Sequence, residues 1–360
     1  MHKILILGGG KIGSLISTLL DGSGDYEVHV GDATGDQSEA ARLGRGTVHP
    51  IDASDTSALE RAVEQTGAEA VVSSLPYYLN PEVARIARER GLHYFDLTED
   101  VAVTEQVKKL AEGAKTTFAP QCGLAPGFIS IAGHDLMKRF DEIDTVKMRV
   151  GALPENPSNV LKYSLTWSTE GLINEYGNTC YGIDDGERIA MQPLEGLETI
   201  QIDGADYEAF NTSGGLGSLA ETWEGRVRNM TYKTVRYPGH CRLMRVLMND
   251  LKLNHDRDTL KRILENSVPR TDQDVVIVYV AVIGRRDGAL YESNDVRKVY
   301  PAEIGGRSWS AIQVTTAAGI CAVVDLAISE PERYRGFVTQ ESFELGAFLE
   351  NRFGSHYAGG

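Results

Sequence analysis

Apolar and polar positions follow two different rhythms along this chain. From residue 3 to about 127, short β-rich apolar runs alternate with amphipathic segments: ILIL precedes a helix starting at Lys11, EVHV precedes a helix over 37–43, and AVVSSL follows one over 56–66. A helix over 81–90, the strand HYFDL at 93–97, a helix over 101–113 and TTFAP at 116–120 continue the series. Strands separated by helical patterns of this length predict βαβ units and a parallel sheet.

After Gly127 the character changes. Longer apolar runs at 145–150, 200–203, 207–210 and 274–283 are joined by DDGE (184–187), DGAD (203–206) and RRDG (285–288), sequences suited to hairpin turns. They predict an α+β second domain with a largely antiparallel sheet. Within it, YSLTW at 163–167 reads as a buried strand that turns into a helix over 171–176. The expected division is an α/β, Rossmann-type, doubly wound parallel domain over 1–127, completed by 306–360, and a substrate-binding and oligomerisation domain over 128–305. The apolar stretch 311–328 contains Gln313, Thr315, Thr316 and Asp325, which reads as a core helix and not a membrane span.

Charge and cysteine content narrow the function classes. The 36 basic and 51 acidic residues leave a net charge of −15 with no Lys/Arg-rich block, so nucleic acid is not an expected partner. Cys122, Cys180, Cys241 and Cys321 show no metal-ligand spacing, which suits reduced structural thiols in a cytoplasmic protein with no metal. The apolar N-terminal run is too brief for a signal peptide, and no membrane association is expected.

The run GGGKIG at 8–13 places Gly8, Gly10 and Gly13 in a G-x-G-x-x-G spacing, after the strand ILIL and at the helix that Lys11 and Ile12 open. The first glycine permits a tight turn, the second lets a pyrophosphate approach the backbone, and the third lets helix and strand pack closely. The phosphates then meet free N–H groups at the positive end of the helix. Asp32 ends the second strand, 19 residues past Gly13, where a carboxylate binds the adenosine ribose and repels a 2′-phosphate. The expected cofactor is therefore NAD. Asp52 follows the third strand, where such folds touch the adenine, and Ser74, Leu75 and Pro76 follow the fourth as further cofactor contacts.

SSLPY at 73–77, HYFDLTED at 93–100, QCGLAPG at 121–127 and GALPENP at 151–157 together make the chain resemble the saccharopine dehydrogenase family. FNTSGGLGSLAETWEG at 210–225 and TVRYPGH at 234–240 are most similar to its lysine 6-dehydrogenase branch. The likeness runs through nearly the whole chain in order. It implies NAD-dependent oxidation of the ε-carbon of L-lysine, with release of ammonia and formation of 2-aminoadipate 6-semialdehyde, which cyclises to a piperideine carboxylate. Saccharopine dehydrogenases that form glutamate are the alternative. Two departures favour lysine: Ala125 stands where saccharopine reductases carry an acid, and Glu170 stands where they tend to carry an arginine suited to gripping a carboxylate. Glu170 would then meet an ammonium of lysine, or else serve the start of the following helix.

The remaining candidates each carry a structural alternative. Tyr77, at the carboxyl end of the fourth strand, faces the ligand crevice or is a packed aromatic. Asp96, Thr98 and Glu99, after the fifth strand, contact the nicotinamide or supply a base, or else Thr98 or Asp100 caps a helix. Cys122 reads as a buried thiol. Asn211, Thr212 and Ser213 offer donors for an amino-acid carboxylate, or form a turn. Arg236 offers a carboxylate-binding fork, and His240 caps a helix, touches substrate or accepts a proton. The long apolar edge or face expected along 274–283 predicts a homodimer or higher homo-oligomer through the second domain.

Overall fold

The computed structural model describes residues 1–358, which fall into two compact units. One comprises Met1–Phe128, Glu303–Arg307 and Gln313–Ala358; the other comprises Ile129–Ala302 and Ser308–Ile312.

The first unit opens with β1 (His2–Leu7), α1 (Lys11–Ser23), β2 (Tyr26–Asp32), α2 (Glu39–Leu43) and β3 (Thr47–Pro50). It continues through α3 (Thr56–Thr66), β4 (Ala70–Ser73), α4 (Asn80–Arg90), β5 (His93–Asp96), α5 (Val101–Leu110) and β6 (Thr117–Ala119). These six strands are all parallel, in the order β6-β5-β4-β1-β2-β3. Winding therefore reverses between β1 and β4, and the crevice beyond their carboxyl ends is where such a sheet binds ligands. The strands read as continuous apolar runs because helices cover both faces; Ile4, Leu5, Ile6, Val72 and Phe95 are fully or almost fully buried. The starts of α3 and α5 carry side-chain caps. Asp55 accepts from the amides of Ser57 and Ala58, and Asp100 from that of Val103. The helix expected from residue 37 starts at Glu39, because the Ser38 hydroxyl accepts from the Ala41 amide and residues 35–37 form a 3₁₀ turn.

The chain enters the second unit along α6 (Phe128–Met137) and passes through β7 (Glu142–Pro154), α7 (Thr169–Gly177), β8 (Cys180–Asp184) and β9 (Glu187–Met191). Next come β10 (Glu198–Ile202), β11 (Ala205–Asn211), the single turn α8 (Leu219–Thr222), β12 (Val227–Arg236), α9 (His240–Arg245), α10 (Arg257–Ser267), β13 (Asp274–Arg286) and β14 (Ala289–Val299). The main path is β10-β11-β12-β7-β13-β14, with β8 joining β12 and β9. Three hairpins turn on Asp185-Gly186, Asp203-Gly204 and Asp287-Gly288, both residues of each pair at positive φ, the two-residue turn whose twist matches the strands it joins. The sheet is mixed, since β12 runs parallel to β7.

Two expectations in this unit need correcting. Residues 163–167 form no strand. Tyr163, Ser164, Leu165 and Thr166 are all buried, so the apolar run reflects burial on every side and not pairing, with the Leu165 amide donating to the Pro269 carbonyl. The strand over 274–283 is not an edge either. β13 lies between β7 and β14, and β14 is the edge strand at that end of the path, as β10 is at the other.

The return segment carries the hairpin β15 (Ala302–Ile304) and β16 (Arg307–Trp309), then α11 (Ala311–Ser329), β17 (Gly336–Phe337) and α12 (Leu345–Glu350). β17 extends the first sheet beside β6. By length and composition α11 passes for a membrane span, yet Ala317, Ile320, Cys321, Val323 and Val324 are fully or almost fully buried within the protein. Its first turn is held by Asp274, whose buried carboxylate accepts from the amides of Ala311 (2.6 Å) and Ile312 (3.0 Å); burial pushes this carboxyl up to about 6.

Candidate functional site

In the first unit, the loop after β1 and the first turn of α1 form a cradle. Gly8 has φ +95°, and a Cβ there would sit 2.7 Å from the Ser74 carbonyl oxygen; one on Gly13 would sit 1.8 Å from the Gly8 carbonyl oxygen. Both positions therefore exclude any side chain. A Cβ on Gly10 would meet nothing within 4 Å, which leaves open space against the start of a 13-residue helix that has no side-chain cap. Those free amides and that space fit a pyrophosphate. Lys11 is exposed and Ile12 half-buried beside it.

Asp32, at the end of β2, accepts from the Gly9 amide (2.7 Å) through Oδ2, and from the Thr34 amide (2.8 Å) and hydroxyl (2.6 Å) through Oδ1. Burial alone would raise its pKa, but these three donors outweigh burial and hold the carboxyl below its usual range. The group stays anionic beside the glycine loop. Asp52 is exposed and accepts from the amide and hydroxyl of Ser54. Ser74, Leu75 and Pro76 follow β4, where the Ser74 amide donates to the Leu7 carbonyl and so ties this loop to the end of β1. The cofactor candidates thus gather at one edge of one sheet.

The catalytic candidates of this unit do not share one fate. Asp96 is fully buried: its carboxylate accepts from the Tyr94 hydroxyl (2.5 Å), the Thr98 amide (2.9 Å) and the Gln121 amide (3.0 Å). It ties the ends of β5 and β6 together, and burial raises its pKa. Thr98 is buried and its hydroxyl accepts from the Asp100 amide. These are contacts of local structure, the alternative that stood beside a base or nicotinamide role for both residues. Cys122 is buried, bonded to the Ala119 carbonyl (2.9 Å), and burial drives its thiol well above its usual range. Tyr77 is half-buried and packs edge-on against Tyr78 at 5.8 Å, and its hydroxyl has no hydrogen bond among the described residues.

In the second unit, three side chains form a buried chain that the sequence reading only partly caught. Arg236 ends β12, is 3% exposed, and donates from Nε to the Tyr176 hydroxyl oxygen at 2.8 Å and from Nη1 to the Val235 carbonyl at 2.8 Å. The Tyr176 oxygen lies 3.0 Å from His240 Nε2, and His240 Nδ1 lies 2.8 Å from the Leu161 carbonyl. The guanidinium stands 5.0 Å from the Tyr163 ring centre. Burial first, and then the charge of Arg236, push the imidazole down to about 3, so His240 is neutral. Both ring nitrogens are engaged within the fold. Tyr176 and Tyr163 were missed as site residues; the available signal was aromatics flanking the 164–175 run, which periodicity reads simply as core.

The other second-unit candidates are engaged locally. The Thr212 and Thr234 hydroxyls bond each other at 2.7 Å, Ser213 donates to the Thr179 carbonyl, and Asn211 donates to the Gln192 carbonyl at 3.4 Å. Glu170 is not gathered with them. It is exposed in the first turn of α7 and pairs with Lys261 at 2.6 Å, while the cap itself is Ser168. The expected ammonium partner is thus a surface lysine of this chain. Among the described residues no group of three His, Cys, Asp or Glu is arranged to hold a metal. An open cleft of about 480 Å³, lined by His134, Lys138, Trp223 and Arg226 among others, contains none of these candidates.

Known proteins share both units. A family model described as the saccharopine dehydrogenase NADP binding domain matches residues 4–118, and one described as the saccharopine dehydrogenase C-terminal domain matches residues 123–350. The alpha-aminoadipic semialdehyde synthase, mitochondrial, of Mus musculus is 25% identical over 188 residues, 48% of this chain; the match spans only 19% of that longer protein. Saccharopine dehydrogenase [NADP(+), L-glutamate-forming] of Pyricularia oryzae is 22% identical over 383 residues, covering 98% of this chain and 82% of that one. Among solved structures, the apo saccharopine dehydrogenase (L-Glu forming) of Saccharomyces cerevisiae superposes with a TM-score of 0.76 at 16% identity, covering 95% of this chain and 94% of the other, which shows the shared fold. With both family models matched in order over most of its length, the chain belongs to the saccharopine dehydrogenase family of oxidoreductases and binds a nicotinamide cofactor through its first unit.

Proposed function

We propose that this chain is an NAD-dependent lysine 6-dehydrogenase. L-Lysine loses a hydride from its ε-carbon and the ε-nitrogen leaves as ammonia; water supplies the aldehyde oxygen, giving 2-aminoadipate 6-semialdehyde, which cyclises to a piperideine carboxylate. The observation that carries this reading is the state of the buried cations. Only three Lys or Arg side chains among the described residues are buried: Arg149, Lys233 and Arg236. Arg149 and Lys233 both pair with Glu198, at 2.5 and 2.9 Å. Arg236 alone has no acid within ion-pair distance among the described residues. The charge of Glu175 reaches the guanidinium without a contact ion pair, and a buried guanidinium with no carboxylate in contact is costly unless a ligand supplies one. One such cation suits one carboxylate, as in lysine, and not the three of saccharopine.

Bound NAD supplies the hydride acceptor. The chain's own residues do the rest: the amides after Gly10 bind the pyrophosphate, and anionic Asp32 binds the adenosine ribose and repels a 2′-phosphate, which supports NAD although the family model's description names NADP. Arg236 holds the substrate carboxylate through charge-assisted hydrogen bonds. Tyr77 keeps an uncommitted hydroxyl beside Ser74, Leu75 and Pro76, and to it we assign a place in the ligand crevice of the first unit. Purified protein given NAD and L-lysine alone should produce NADH and ammonia in equal amounts. No ammonia from lysine, together with glutamate-dependent oxidation of reduced cofactor in the presence of the semialdehyde, would move the assignment to a glutamate-forming saccharopine dehydrogenase.

We further propose that two copies associate along β14. Its outer side is unpaired, and Leu290, Tyr291 and Val296 are 69%, 41% and 38% exposed, a combination natural proteins usually cover.

A further inference from the structure

We propose that Tyr176 and His240 are positioning residues that fix the Arg236 guanidinium so that Nη2 presents its N–H groups to a ligand carboxylate. This rests on the reading that Arg236 anchors that carboxylate. Each hydrogen bond in this chain has a direction set by its chemistry. Arg236 Nε can only donate, so the Tyr176 oxygen accepts at 2.8 Å. The phenol's own proton then has one acceptor within reach, His240 Nε2 at 3.0 Å. For Nε2 to accept, the imidazole proton must sit on Nδ1, and Nδ1 faces the Leu161 carbonyl at 2.8 Å, a group that only accepts. The chain Arg236 to Tyr176 to His240 to Leu161 therefore has a single consistent direction, and the tautomer is assigned by its end point.

That end point is fixed. The Asn159 side chain donates to the Tyr163 carbonyl and its main-chain oxygen accepts from the Lys162 amide, which clamps the loop around Leu161. His240 is fixed from its other side by Glu208, whose buried carboxylate accepts from the Gly239 amide (2.8 Å) and the Cys241 amide (2.5 Å), the residues on either side of it. Glu208 also stands directly opposite Arg236 in the β11–β12 ladder. It is the acid best placed along the sheet to neutralise the guanidinium, yet it is turned to the start of α9. With Nε and Nη1 occupied, and with Glu175 acting on the guanidinium only from beyond contact, Nη2 is the nitrogen that makes no hydrogen bond among the described residues. The surroundings are rings: Phe210 lies 5.6 Å from Tyr176 and 6.3 Å from His240, and Tyr163 lies 5.3 Å from His240. A relay with every polar atom spent on its neighbour holds geometry and has no lone pair free for a substrate proton.

The test uses the full chain with NADH bound and two probes, hexanoate, which keeps a carboxylate on a six-carbon chain, and hexylamine, which keeps only an amine. In calorimetric titrations hexanoate should bind the unmodified protein, bind about 3- to 30-fold more weakly to Tyr176→Phe, and bind weakest to Arg236→Leu, as expected for loss of alignment and then of the charge. Hexylamine should be indifferent to all these changes. In lysine turnover, Tyr176→Phe and His240→Asn should raise KM by a similar factor while kcat stays within about threefold, whereas loss of a proton-transfer group would lower kcat by about 10²–10⁴. Phe keeps the ring packing, and unchanged NADH affinity and circular dichroism report that each variant is folded. Hexanoate affinity equal in folded Tyr176→Phe and the unmodified protein, a kcat collapse at constant KM, or no hexanoate binding to the unmodified protein would each overturn the inference. If hexanoate behaves as expected while lysine is not turned over, the positioning role stands and the choice of lysine fails.

Discussion

The neutrality of His240 can be measured. The imidazole is buried, with its ordinary value of 6.5 pushed down to about 3 by burial first and then by the Arg236 charge, against a smaller opposing contribution from the Leu161 carbonyl. The folded-state value lies below the unfolded one, so the unfolded chain takes up a proton that the native state refuses. The stability contributed by a neutral His240 is therefore whole above about pH 6.5 and is lost as pH falls toward 3. Each pH unit in that window is worth about 1.4 kcal/mol, so moving from about pH 7.5 to about pH 5 should cost the native state about 2 kcal/mol at this one residue. His240→Asn removes the titration, and its penalty from broken hydrogen bonds is the same at either pH. The stability difference between the unmodified protein and the variant should then shrink by about 2 kcal/mol at the lower pH.

Urea unfolding followed by tryptophan fluorescence suits this case. Trp167, Trp223 and Trp309 all belong to the second unit, as does His240, so the signal reports the unit in question even if the two units unfold separately. Other histidines with lowered values, such as His49 and His93, cancel in the difference. An unchanged difference between the two pH values would show that the imidazole titrates normally in the folded state, and the directional relay from Arg236 would fall with it.

Three further outcomes are expected. Asp32→Ala should narrow the preference for NAD over NADP by about 1–3 kcal/mol in transition-state terms, through lost ribose hydrogen bonds and lost repulsion; equal kcat/KM with both cofactors in the unmodified protein would refute the role of Asp32. Glu170→Gln should leave lysine kinetics unchanged and shift stability by no more than about 1 kcal/mol, since its partner Lys261 is a surface group; a tenfold or greater loss of kcat/KM for lysine would restore the ammonium-binding reading. Val296→Pro on β14 should lower the mass seen by light scattering at micromolar concentration from that of a dimer to that of one chain, because proline cannot donate to a strand pair; a single-chain mass for the unmodified protein would refute the dimer.

The architecture was legible wherever a local rule and the tertiary environment agreed. The βαβ rhythm, the cofactor loop and all three Asp-Gly hairpins depend on residues close in sequence, and they stand in the structure as their patterns predict. The pattern failed at 163–167, where alternation implies one buried face but every residue from Tyr163 to Thr166 is buried, so periodicity could not tell a strand from a packed loop. It failed again at 274–283, where a run buried by two neighbouring strands reads the same as one awaiting a partner.

The candidate site divides along the same line. Asp32 is legible because its distance from Gly13 is set by one strand and one helix. Glu170, Tyr176, Arg236 and His240 are not, because what decides their roles is which partner each finds across 60 or more residues of chain. Glu208 shows why. From sequence it is one more acid on a strand, and by register it should neutralise Arg236; in the fold it is drawn instead to the amides flanking His240. One carboxylate's choice between a guanidinium and a helix start thus leaves Arg236 without the ion pair its strand register offers, with the charge of Glu175 acting from beyond contact. Sequence spacing gives the register that makes both partners available to Glu208, and only the packing of α9 against β11 settles which one it takes.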